Sequence, residues 1–396
     1  EFGYERMKHA SALKLNGGGS GSYADYSSYL LNVALTIDLD SAGRIDHVMG
    51  DDIMMGDHMM NGHTHHASGA PAGVILDHML ENKGDVMVGY RYMYGMQGGD
   101  ILRGGSNVDD YTLINRGCDV NPCYVRPTAM GMRMHMLDIM YAPNDWINLM
   151  LMPQFMEMDM SMRLLDGSPR TGGHDAIGMA ITHSSHPHNS AGLGDTEMHA
   201  LFRLLRKSNS KLHLGLGLSA PTGDVGVRMR DMMAIDMGFM DYGMQLGSGT
   251  WDFKPSLTYT GGEAPLLWGA QISGTKRLQD RNQSGYSLGD MLQATAWQSY
   301  GLGEAWSASV RGLYTWQGPI RGEYNDTIIR IGPGDYTGNY GGRFLDLGLG
   351  LSAMVKSGTF TGNRLGVEWL QPVLNNTNGY RLKRTGTLVF SWGVHF

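Results

Sequence analysis

Two residue types able to hold a soft metal ion are unusually concentrated in this chain: of 396 residues, 31 are Met and 15 are His. The densest tract is residues 47–66, HVMGDDIMMGDHMMNGHTHH. There Met54, Met55, Met59 and Met60 interleave with His58, His63, His65 and His66, with His47 and Met49 just before them. Thioether sulfur suits Cu(I), and imidazole suits Cu(I), Cu(II), Zn and Ni. The tract has no hydrophobic period and little core-forming material, so it is expected to be mobile when unliganded. The plain alternative is a solvated low-complexity linker that takes up metals adventitiously.

A second concentration has a different character, because it keeps phase. Over residues 130–162 the methionines recur at every second position. Met130, Met132, Met134, Met136, Asp138 and Met140 share one side, and Arg133, His135, Leu137, Ile139 and Tyr141 share the other. After a turn signal at Pro143-Asn144-Asp145, Asn148, Met150, Met152, Gln154, Met156, Met158 and Met160 alternate with Ile147, Leu149, Leu151, Pro153 and Phe155. A helix would repeat its apolar residues at three and four, so the spacing predicts a β-hairpin with one ordinary apolar face and one methionine face.

The same two-residue period runs on from Gly84 to the end and predicts about twelve strands. Short turns and long loops alternate between them, which is the pattern of a transmembrane, antiparallel, up-and-down β-barrel. No run of eighteen apolar residues exists to form a membrane helix. Strands of ten or more residues with one charged face argue against a soluble sandwich. The expected organisation is therefore an N-terminal extension with a short strand (1–46), a flexible periplasmic Met/His-rich segment (47–83) and an outer-membrane barrel (84–396). An even strand count puts both termini on the periplasmic side. Glu1 without a leader sequence behind it is what a chain with its signal peptide removed would show.

In such a barrel the plain apolar register faces lipid, since a charge at mid-bilayer costs about 2–4 kcal/mol. That sends Arg91, Asp138, Asp195, Glu197, His199, Arg203, Asp252 and Lys254 inward, together with Arg311, Asp346, Arg364 and Glu368. Mixed signs imply internal ion pairs that line or narrow a pore. The methionines turn inward with them, and Met134, Met136, Met150, Met152, Met156, Met158 and Met160 become a thioether wall along which a copper ion can exchange ligands. Outer loops add Met162, His174, Met179, His183, His186, His188, Met229, Met232, Met233, Met237, Met240 and Met244.

Three functions fit these residues. One is a channel that binds or passes Cu(I). Another is a passive pore for small apolar or aromatic solutes, with Met as adaptable filler. The last is a barrel-anchored assembly protein whose residues 1–45 add a strand to a neighbour or a second copy. The partners implied are outer-membrane lipid and a metal ion or small solute. A net charge of -7 without a basic stripe excludes nucleic acid. No G-x-S-x-G, HExxH or haem-attachment motif is present, so no enzyme is expected. Cys118 and Cys123, in CDVNPC, are read as a disulfide of an oxidising compartment, with free thiols or a metal pair as alternatives.

Several segments also resemble a known family. VMVGYRYMYGM, MHMLDIMYAPNDWINLMLMPQFMEMDM, AGLGDTEMHALFRL, LGLSAPTGD, YGMQLGSGTWDFKPSLTYTG, GYSLGD and RLGVEWLQPV, in order through residues 84–396, resemble the outer-membrane transporter family named for the meta-pathway of phenol degradation, particularly its Met-rich branch. The resemblance implies an outer-membrane channel for hydrophobic or aromatic solutes. The N-terminal extension, the CDVNPC pair and the His/Met tract depart from that pattern.

Overall fold

Two-faced strands can bury one face only by closing a sheet on itself or by pairing it with another layer. This chain closes it. A computed structural model describes residues 70–119, 122–168, 188–230, 236–326 and 330–396. Twelve antiparallel strands form the barrel. They are β1 (Val86–Arg103), β2 (Val125–Asn144), β3 (Ile147–Met152, continuing as Gln154–Leu164), β4 (His188–Leu193, continuing as Thr196–Lys207), β5 (Ser210–Ala220) and β6 (Asp252–Glu263). Then come β7 (Leu266–Arg277), β8 (Met291–Leu302), β9 (Trp306–Gln317), β10 (Gly342–Met354), β11 (Arg364–Thr377) and β12 (Arg381–His395).

Each strand pairs with its sequence neighbours, and β1 pairs with both β2 and β12, so the sheet closes; among the described residues the His188–Leu193 part of β4 is paired on one side only, with β3. At the seam, Met87 faces His395 on one side and Met140 on the other. Leu149, Leu151, Leu216, Leu218, Leu257, Ile272, Leu349 and Val367 lie exposed on the outside. Their chain neighbours Asn148, Met150, Ser219, Ser256, Thr258, Gln271 and Glu368 are buried within. The expected all-β barrel and its inward register are both present.

Strands β3 and β4 are broken at one level. Pro153 has no N–H to give to the ladder, and beyond it the pairing slips, so that Met152 faces Glu197 while Phe155 faces Leu193. Asp195 sits in this break and turns to the long loop after β5, accepting hydrogen bonds from Gly223 N (3.0 Å), Ser248 N (2.7 Å) and Ser248 Oγ (2.8 Å).

Residues 70–83 differ from expectation. The sequence places them in the flexible tract, but they run inside the barrel as a plug. The run Ala70-Pro71-Ala72-Gly73-Val74-Ile75-Leu76 is apolar enough to fill the lumen, and barrel side chains satisfy its backbone. Gly73 N donates to Glu368 Oε2 (2.8 Å), Leu80 N donates to Asn148 Oδ1 (2.6 Å), and Val74 O accepts from Arg91 Nη1 (3.2 Å). Leu76, at a positive φ of 60°, occupies a conformation that costs a branched side chain about 1–3 kcal/mol. Its carbonyl compensates by accepting from His213 Nε2 (2.9 Å), Thr258 Oγ1 (3.2 Å) and Gln271 Nε2 (3.3 Å). Residues 1–46 and 47–69 lie outside the described residues, and with them the expected N-terminal strand.

At the long-loop end, Cys118 and Cys123 are disulfide-bonded as expected, beside helix α1 (Asp110–Arg116), which is capped by Asp109 accepting from Thr112 N. Asp110 ties this loop to β3 through Arg163, with hydrogen bonds of 2.7 and 2.9 Å. The loop after β5 folds back over the mouth. Tyr242 stacks on Tyr324 (4.3 Å), and Tyr324 stacks on Phe239 (4.2 Å).

Candidate soft-ligand site

The methionine register of β2 and β3 faces the interior throughout. Met136, Met150, Met152, Met158 and Met160 are buried, and Met134 and Met156 are half-buried. This wall is covered, in two tiers. In the lower tier Met87, Met140, Met150 and Met152 pack with Leu201 against Leu76, Met79 and Leu80 of the plug. In the upper tier Met158 and Met160 pack with Met229, Met240 and Met244 of the folded-back loop, and Met130, Met132, Met156 and Met162 adjoin them. Tyr124, Val125, Leu246 and Ile331 complete the upper cluster. Gln245 secures the loop by accepting from Val227 N (2.9 Å) and donating to Val227 O (3.0 Å).

The inward polar residues pair as their mixed signs implied. Arg91 lies 3.5 Å from Asp138, Arg311 Nε is 2.8 Å from Glu368 Oε1, and Arg384 is 2.8 Å from Asp346. Asp252 pairs with Arg277 and accepts from Thr250 Oγ1 (2.7 Å). Glu197 gathers three partners: Lys254, Gln154 Nε2 (3.0 Å) and His199 Nε2 (3.0 Å). Arg203 donates to Leu80 O (2.6 Å), where the plug approaches the short-turn end. Nearby, burial opposes ionisation of Glu81, but Lys211, Arg206 and Arg203 outweigh it and hold the carboxyl below the ordinary carboxylate range.

Sequence reasoning thus located the wall and its phase. It missed what covers the lower tier, although the apolar run from Val74 to Leu76 was the available signal. The expected ligands Met54, Met55, His58, Met59, Met60, His63, His65 and His66 lie outside the described residues. So do His174, Met179, His183, His186, Met232 and Met233, and the side chain of Met237. Among the described residues, no three His, Cys, Asp or Glu side chains converge as a metal site.

Neither a family model nor any curated protein matches the sequence. Among solved structures, the chain is similar to an outer-membrane channel from Pseudomonas putida, with a TM-score of 0.50 and 14% identity over 82% of this chain and 99% of that one. A Pseudomonas aeruginosa FadL homologue (TM-score 0.36, 10% identity, 79% and 90% covered) and the KdgM porin (TM-score 0.33, 8% identity, 78% and 99% covered) are more remote. What the likeness to the Pseudomonas putida channel carries is the fold.

Proposed function

We propose that this protein is an outer-membrane channel whose methionine wall binds and passes a soft monovalent cation, Cu(I). The observation behind this reading is the upper tier. Methionines from β2, from β3 and from a loop some seventy residues further along the chain meet in one cluster at the mouth, where an entering ion would first find thioether ligands. The outer register, apolar from Leu137 to Phe390, suits lipid. The short-turn end, where the chain enters β1 and leaves β12, is then periplasmic.

Silver(I) tests this without reductant, leaving the Cys118–Cys123 bridge intact. Replacing Met229, Met240 and Met244 by Leu is expected to lower the silver bound per chain and to slow silver entry into proteoliposomes. Unchanged binding and entry would remove the reading.

A second reading is favoured by the Tyr124, Val125, Leu246 and Ile331 side chains among the same methionines. They would suit a small apolar or aromatic solute, as the family resemblance implies. In that case the Leu variant keeps its uptake of monoaromatic compounds while silver entry is negligible in both proteins.

A further inference from the structure

One level of the barrel carries soft donors on four adjacent strands without a gap. Met87 on β1 faces Met140 on β2, Met140 faces Met150 on β3, and Met150 faces His199 on β4. All four point inward and are buried, at 8, 1, 5 and 6% exposure respectively. Neighbouring strands stand about 4.8 Å apart, so adjacent members of the row are close enough for two side chains to share one ion. Met79 of the plug packs on the same cluster from the lumen side.

His199 is arranged as a ligand would be. Its Nε2 is 3.0 Å from Glu197 Oε2, so that nitrogen carries the proton and donates it to the carboxylate. In the neutral ring Nδ1 is then a bare lone pair. It is buried, and among the described residues it has no hydrogen-bond partner. An unpaired buried acceptor is costly to leave unmade, and a histidine with one nitrogen held by a carboxylate and the other free is the usual arrangement of a metal-ligating imidazole. The ring leans over Gly217, opposite it on β5, where a Cβ would collide with it. Nδ1 thus lies on the β5 side in this structure, and ligation together with Met150, across on β3, requires the ring to swing over. The Glu197 carboxylate also offsets the nearby Lys254 ammonium, which would otherwise repel a cation.

We propose that His199 Nδ1 and the thioether of Met150 form a Cu(I) or Ag(I) site in the lower tier, completed by Met140 or Met79, with Glu197 as its positioning residue. This deepens the soft-cation reading and rests on it for the class of ligand. Two or three soft donors are enough for these ions, and none is a cysteine. Because Met79 belongs to the plug, the site joins plug to wall and lies below the loop cluster on any route through the barrel.

The test uses the full-length protein and silver(I) nitrate. Anomalous scattering from soaked crystals is expected to show silver beside His199 Nδ1 and Met150 Sδ. Silver titrations should lose one binding event in His199→Ala and in Met150→Leu, while replacing Met229, Met240 and Met244 leaves that event in place. Glu197→Gln should keep the event but weaken it by roughly 10–100-fold, the usual range for such an orienting partner. Crystals with silver only elsewhere, or titrations of both single variants identical to wild type, overturn the site. Failure of the channel reading is separable: silver at His199 with no entry into proteoliposomes removes transport and leaves the site, whereas entry that survives His199→Ala and Met150→Leu with no silver at His199 removes the site alone.

Discussion

Asp335 is fully enclosed where the loop between β9 and β10 packs on the loop after β5, accepting from Ile331 N and Gly332 N at 2.9 Å each. Burial first, and then the neighbouring Asp241 carboxyl, push its pKa well above the ordinary 3.8. Tyr340 faces the same spot, donating to Gly334 O (2.8 Å) and accepting from Gly243 N (3.1 Å). Arg381 lies over the Tyr340 ring, and Arg330 is engaged by Glu323. The folded state therefore holds this proton more tightly than the unfolded chain does. Loop packing is at full strength below the ordinary carboxyl pKa and weakens as pH rises through the raised one. Hydrogen-exchange protection at Gly243 and Met244 should fall as pH rises above the ordinary carboxyl value of 3.8, and Asp335→Asn should flatten the change. Protection that stays equal as pH rises in the wild type would contradict the raised Asp335 pKa.

At the scale of the element, the plug is held by side chains and not by a sheet ladder, so each contact can be tested singly. A Cβ added at Gly366 on β11 would lie 3.2 Å from the Ala72 Cβ, only slightly inside the spacing a disulfide spans. Ala72→Cys with Gly366→Cys is therefore expected to cross-link on oxidation, as a shift in peptide mass after digestion. Two free thiols by mass would show that the segment sits elsewhere. The strands themselves were legible from alternation: Leu149 and Leu151 went out, and Met150 and Met152 went in, as their period required. The plug was not legible. A fourteen-residue apolar and polar mixture without a period has no face, and its place depends on Asn148, His213, Thr258, Gln271 and Glu368, which lie from 68 to 295 residues away along the chain.

For the molecule as a whole, the closed barrel gives every strand two unlike faces. Leu349 on β10 is 67% exposed on the outer face, while Glu368 on the adjacent β11 is buried inside with Arg311. Leu349→Arg is expected to destabilise the protein in phospholipid vesicles by about 2–4 kcal/mol, and Leu349→Ala by much less. Urea unfolding in vesicles reads this difference. Equal stabilities for the two variants would mean that the outer face does not meet lipid.

The sequence by itself indicated the barrel, a count of about twelve strands and the two registers of each strand, because a period of two leaves each side chain only two directions and the closed sheet buries only one of them. It also determined the soft-ligand character of the wall, since residue type carries that chemistry wherever the residue lies. Tertiary structure alone decided what covers the wall. The plug on the lower tier, the loop methionines on the upper, and the level at which Met87, Met140, Met150 and His199 align all depend on strand register and loop return. These are relations between distant parts of the chain that no local pattern encodes.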